Sequence, residues 1–157
     1  MKPIHLELKI FENNTNLNES FFYNLHKIDN AYFPTPWDLN SWSNFLSDSD
    51  KVLFILTNSD EIIGFSMFQF NDIDRFAHLL KILIIPSYRE QSLGRFLLSQ
   101  SLVTLREKGI VNFYLEVEQG NQSALKLYEK SGFNIIHSKK DFYGENRSAF
   151  IMTNFNQ

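Results

Sequence analysis

The stretch "YLEVEQGNQSALKLYEKSGF", Tyr114–Phe133, decides how this chain folds. Its first part belongs to "IVNFYLEVE", in which Val111, Phe113, Leu115 and Val117 alternate with Asn112, Tyr114, Glu116 and Glu118. Alternation with a period of two is the mark of a strand with one dry face. Its second part, "NQSALKLYEKSGF", predicts a short helix ended by Gly132 at the C′ position. A strand running directly into a helix, with an acid in the strand, is an element of α/β architecture.

Upstream, "RFAHLLKILII" reads as a strand apolar enough at its end to be buried on both faces, and Pro86 stops it. The loop "PSYREQSLG" follows, and then a helix from about Ser92 to Lys108. In that helix Leu93, Phe96, Leu97, Leu98, Leu102 and Leu105 are expected to face the core, with Gly109 as terminator. Further back, "KVLFILT" and "EIIGFSMFQF" form a hairpin across "NSD". Phe21, Phe22, Leu25 and Ile28 mark a helix reaching about Ala31, and Asp38 caps a second helix in "DLNSWSNFLSD".

At the start, "IHLELKIF" alternates Ile4, Leu6, Leu8 and Ile10 with polar residues, a strand with one wet face. At the end, "FNIIHS" and "RSAFIMTNF" give two more strands. The order β-α-α-β-β-β-α-β-α-β-β describes an α/β fold. It predicts a single domain over residues 1–157: a central mixed, largely antiparallel sheet of about seven strands flanked by about four helices.

Composition narrows the function. The chain has 157 residues, enough for one core, and its 15 Lys and Arg against 18 Asp and Glu leave a net charge of −3. That balance argues against a nucleic-acid or anionic-membrane partner, which rewards a strongly basic surface. There is no cysteine, which excludes disulfides, a thiolate nucleophile and cysteine-based zinc sites. The four histidines, His5, His26, His78 and His137, form no ligand motif, so no metal is expected. The interleaved polar residues of the N-terminus are unlike a signal sequence, and a cytoplasmic location is expected.

The loop before the long helix, with Arg89, Arg95 and Gly94, invites an anion. First-turn N–H groups and the positive end of a helix dipole suit phosphate, although the same residues would serve a plain connection.

Taken together, "LLKILIIP", "SYREQSLG", "NFYLEVEQGN" and "SALKLYEKSGF" resemble, in order and spacing, the GNAT superfamily of acetyl-CoA-dependent N-acetyltransferases. Within it they are most similar to the bacterial enzymes that acetylate the N-terminal alanine of a ribosomal protein. The likeness spans about Ala31 to Met152, and "AYFPTPW" is similar to an "FPW" segment between the first two helices of those enzymes. Two X-Pro steps would also simply stiffen that connection.

The resemblance implies acetyl-CoA as donor and a site residue by residue. The family's Q/R-x-x-G-x-G/A pyrophosphate turn corresponds to Arg89, Glu90, Gln91, Ser92, Leu93 and Gly94, followed by Arg95. Ser92 stands where the first glycine is usual. A Cβ there disfavours positive φ at a cost of about 1–2 kcal/mol, while a serine can cap the helix. Ile82, Leu83 and Ile84 are implied to meet the cofactor through main-chain groups of a bulged strand, and Asn121 at the start of the next helix to contact it. Glu116 corresponds to the general base and Tyr128 to the general acid. Read without the family, Glu116 would be an ordinary wet-face acid and Tyr128 a packed amphipathic ring.

With no cysteine to carry an acyl group, direct transfer in a ternary complex is expected. The implied acceptor is a protein or peptide N-terminus. A lysine, polyamine or other small amine, or acyl-CoA binding without catalysis, stays open at this stage. Tyr143 in "KKDFYGENRSAF" is a candidate for the acceptor groove, and the protein is expected as a monomer or weak dimer.

Overall fold

The computed structural model describes residues 4–13 and 19–155. Strand β1 (Leu6–Phe11) is followed by α1 (Glu19–Tyr32) and α2 (Leu39–Asn44), the latter extended by a 3-10 turn over Phe45–Ser47. Then come β2 (Lys51–Asn58), β3 (Glu61–Asn71), β4 (Phe76–Ile84), α3 (Leu93–Glu107), β5 (Asn112–Glu118), α4 (Gln122–Lys130), β6 (Asn134–Lys139) and β7 (Ala149–Phe155). The seven strands form one sheet in the order β1-β2-β3-β4-β5-β7-β6. Only β4 and β5 are parallel neighbours; every other adjacent pair is antiparallel. The expected element order, strand number and helix number are all present.

The core is built on the middle strands. Val52 through Leu56 are fully buried on both faces of β2, which is why that segment carries no polar alternation. Neighbours on β3 show what covers each face. Ser66 shares a 2.8 Å hydrogen bond with Ser101 of α3, whereas Phe65 meets the edge of Trp42 of α2 with ring centroids 5.3 Å apart. Thus α3 covers one face and the α1–α2 pair the other. Asp38 caps α2 by accepting from the Ser41 amide at 2.7 Å. Gly109 and Gly132 follow α3 and α4 with φ of 97° and 92°, the left-handed geometry expected of them.

Three expectations change. Phe96 is 40% exposed, because it sits at the margin of the stripe that Leu93, Leu97, Leu98, Leu102 and Leu105 bury. On β1, an edge strand, Leu6 and Ile10 stay exposed; Leu8 and Phe11 are the residues that reach the core. Ser92 does not cap α3, as its side chain makes no capping bond and its backbone is left-handed at φ 61°.

One irregularity positions the site. Between β3 and β4, Met67 faces Lys81 and Phe68 faces Leu79, so Leu80 is an extra residue on β4, a β-bulge. β4 pairs with β5 only through Phe76, Ala77 and His78, opposite Asn112, Phe113 and Tyr114. Beyond that point the two strands part.

Candidate active site

The parting of β4 and β5 opens a cavity of about 440 Å³. Its walls are the bulged half of β4, the end of β5, the start of α4, the segment Tyr32–Thr35 after α1, and Tyr143 and Arg147 from the β6–β7 connection.

The main chain of β4 fits an extended ligand. From Leu79 to Ile84, apart from the bulged Leu80, its β3-facing edge is paired, while the opposite edge has lost β5 as a partner. Groups on an unpaired edge bind an extended chain as another strand would. Ile82, Leu83 and Ile84 line the cavity there, as does Gly94 in the first turn of α3 and Asn121 at the start of α4. Asn121 also caps α4, its Oδ1 accepting from the Ala124 amide at 3.2 Å.

The rest of the expected phosphate turn lies outside the cavity wall. Glu90, Gln91, Ser92 and Arg95 are exposed beside it, and Leu93 turns into the core at 7% exposure. Glu90 and Ser92 both have positive φ, 62° and 61°, so the turn holds two residues in the conformation glycine adopts freely. Arg89 is engaged differently from expectation. It lines the cavity, and its Nε donates to the Ile84 carbonyl at 2.8 Å, tying the turn to the end of β4.

Glu116 and Tyr128 both line the cavity, from β5 and α4. Glu116 Oε2 lies 2.5 Å from His78 Nε2, and the imidazole stacks on Tyr114 with ring centroids 4.2 Å apart. This is why Glu116 points as it does: the register that sets His78 beside Tyr114 puts the next wet-face residue of β5 within reach of the ring. Tyr128 is 7% exposed, and burial first, then the nearby Tyr143, raises its phenol above the ordinary value. It is held neutral throughout the physiological range.

Tyr143 closes the far side. Burial, then the charges of Glu116 and Glu118, push its phenol up to about 12. Its amide donates to the Arg147 carbonyl at 3.0 Å, and Arg147 clamps Glu118 of β5 with bonds of 2.6 and 3.2 Å. That pair lowers the Glu118 carboxyl, through the hydrogen bond first, and pins the β6–β7 connection beside the cavity.

Sequence reasoning missed His78, Arg147, and the pairing of Asp29 with Lys81 of the cavity wall at 2.8 and 2.7 Å. Each depends on contacts between elements far apart in the chain, so spacing carries no sign of them. Among the described residues there is no cluster of three or more metal-ligating side chains, and no helix long and apolar enough to cross a membrane.

Residues 17–133 match the model of the acetyltransferase (GNAT) family. The chain belongs to that family. It is an acetyltransferase by descent and by fold, with acetyl-CoA as donor. It is 33% identical over 135 residues to the [ribosomal protein bS18]-alanine N-acetyltransferase of Haemophilus influenzae, covering 83% of this chain and 90% of that protein. It is 31% identical to the Escherichia coli enzyme of the same name, covering 69% and 71%. The crystal structure of the ribosomal-protein-S18-alanine N-acetyltransferase from Escherichia coli superposes with a TM-score of 0.80 at 25% identity, over 95% and 94% of the two chains. Arabidopsis thaliana NAA60 in complex with acetyl-CoA shares the fold at a TM-score of 0.80 and 17% identity, over 96% and 98%.

Proposed function

We propose that this protein acetylates the N-terminal α-amino group of a protein, with the N-terminal alanine of a ribosomal protein as the favoured acceptor, in the cytoplasm. The likeness to ribosomal-protein alanine N-acetyltransferases over most of both chains supports the choice of acceptor. The observation that carries the chemistry is that a carboxylate and a buried phenol line the same cavity as the unpaired edge of β4.

Bound acetyl-CoA would supply an activated acetyl group. The roles we assign to this chain's residues are those that the family likeness implies, and their positions around the cavity support them. Main-chain groups of Ile82, Leu83 and Ile84 hold the donor as an added strand, and Gly94 and Asn121 border its far end. The exposed turn from Glu90 to Arg95, at the open N-terminus of α3, receives the phosphates.

Glu116 takes a proton from the acceptor's ammonium group, directly or through water. His78 holds the carboxylate toward the cavity and, with Glu116 ionised, donates through Nε2–H. The task is modest for an α-amine. With a pKa near 8, about one-tenth is already neutral at pH 7, against under a thousandth for a lysine. Tyr128, a phenol whose burial raises it further above the physiological range, offers its O–H to the sulfur as that atom gains charge. Transfer is taken as direct, the neutral amine adding to the thioester carbonyl and the C–S bond breaking to release CoA as its thiol; the absence of cysteine disfavours an acyl-enzyme.

The test is incubation with acetyl-CoA and peptides that differ in their first residues, with mass spectrometry locating the added acetyl group. The reading predicts modification at the α-amine, with alanine-first peptides preferred. Modification of lysine side chains alone, or of polyamines in preference to peptides, would overturn it.

A further inference from the structure

Asp29 of α1 and Lys81 of β4 lie 52 positions apart and form an ion pair sealed from water, at 0% and 3% exposure. Lys81 Nζ donates to both carboxylate oxygens, at 2.8 and 2.7 Å. Nothing in the proposed chemistry uses either charge. A pair so deeply desolvated is also a weak device for stability, since apolar replacements of similar volume often serve a fold as well or better.

Of the remaining bonds of the pair, one goes to Trp42 of α2 and the others go to the segment between α1 and α2. Asp29 Oδ2 accepts from the Trp37 amide at 2.8 Å and from Trp42 Nε1 at 2.9 Å. Lys81 Nζ also donates to the Thr35 carbonyl at 3.2 Å and lies over the rings of Phe33 and Trp37, at 4.4 and 5.0 Å from their centroids. The target is therefore the segment Phe33-Pro34-Thr35-Pro36-Trp37. Its two prolines lack N–H groups, which limits the hydrogen bonds it can make within itself. It depends on an outside anchor, and Asp29–Lys81 supplies one. Phe33, Pro34, Thr35 and Lys81 itself line the cavity, beside the bulged Leu80.

We propose that the Asp29–Lys81 pair is a positioning device that locks Phe33–Trp37 into place as the wall on which the acceptor docks. It sets affinity for the acceptor and leaves donor binding and the chemical step alone. This rests on the reading of the cavity as an N-terminal acetyltransferase site. The Phe33 amide is bonded to the Asp29 carbonyl and Trp37 packs on Trp42 and Phe45, and the buried pair adds the polar bonds that fix the path of the loop between those two ends.

The test is the double variant Asp29→Asn/Lys81→Met, which removes both charges together, keeps similar volume and leaves an acceptor oxygen for the two tryptophans. Acetyl-CoA affinity is measured by calorimetry, and kcat and KM with an alanine-first peptide. The expected result is a cooperatively melting protein with donor affinity within about twofold of wild type, a peptide KM raised about tenfold or more, and kcat little changed. A folded variant with unchanged peptide KM, or with lowered kcat at unchanged KM, would overturn the lock and leave the proposed function standing. Wild-type protein that modifies no peptide N-terminus would overturn both.

Should the variant fail to fold, hydrogen exchange on the wild-type protein decides. The Trp37 amide, bonded to Asp29, is expected to exchange as slowly as the amides of β4. Exchange at the rate of an open loop would remove the lock.

Discussion

His78 Nε2 stands 2.5 Å from Glu116 Oε2, at the last paired position before β4 and β5 separate. The contact is thus made at the apex of the cavity, where the sheet still imposes register on both strands. It joins a residue that the proposed chemistry uses to one that only orients it, and the two roles have different signatures.

Glu116→Gln keeps shape and loses the base. It is expected to lower kcat by about 10²- to 10⁴-fold at neutral pH, the usual contribution of a positioned proton acceptor. Acetyl-CoA affinity, measured by calorimetry, should barely move, because the proposed hold on the donor is β4 main chain. Unchanged turnover would remove Glu116 from the mechanism.

His78→Phe preserves the ring stacked on Tyr114 and deletes the bond to Glu116. The expected effect is smaller, a loss of about tenfold in kcat with peptide KM unchanged, as suits a group acting through another. Steady-state kinetics on the two variants and their combination would show strong non-additivity, since His78 has nothing to orient once Glu116 is gone.

Ser92→Gly removes a Cβ from a residue at φ 61°. Left-handed strain of about 1–2 kcal/mol is relieved, offset in part by the roughly 0.5–1 kcal/mol that glycine's freedom adds to the unfolded state. Thermal melting should show equal or slightly higher stability, and calorimetry equal or tighter acetyl-CoA binding. Clear loss of affinity would mean that the serine hydroxyl contacts the donor.

Alkaline titration monitored by phenolate absorbance reads how far burial holds phenols protonated. Of six tyrosines, Tyr114, Tyr128 and Tyr143 have phenols raised by burial, Tyr143 to about 12. These should ionise after the others. Below pH 10 both folded and unfolded chains keep these protons, and no stability depends on them. Above it the unfolded chain releases protons first, so stability falls as pH rises from 10 toward 12. Ionisation of Tyr114, Tyr128 and Tyr143 near pH 10 in folded protein would contradict the burial of these phenols.

The legible and illegible parts of this molecule divide by the range of the interactions that make them. The alternation of Phe113, Leu115 and Val117 against Tyr114, Glu116 and Glu118 is local, and the strand shows it with 1%, 1% and 4% exposure for the apolar set. Gly109 and Gly132 mark helix ends for equally local reasons. The bulge at Leu80 is a mismatch of count between two strands, and nothing in "LLKILII" distinguishes a bulged strand from a regular one. Lys81 lies in that run, and its partner Asp29 stands 52 positions away, so only the fold brings the two together. Ser92 misled as a cap because serine is a common capping residue; its conformation follows from the shape of the turn. The family likeness supplied Glu116 and Tyr128, which periodicity alone could not separate from an ordinary wet-face acid and a core ring.

The most direct test is a crystal structure with a bisubstrate compound in which CoA is joined through its acetyl carbon to the α-nitrogen of an alanine-first peptide. The account predicts the pantetheine arm running along Ile82–Ile84, the sulfur beside the Tyr128 hydroxyl, the α-nitrogen within one water of Glu116, and the peptide against Phe33–Thr35. A compound bound outside the gap between β4 and β5, or with its sulfur remote from both Glu116 and Tyr128, would contradict it.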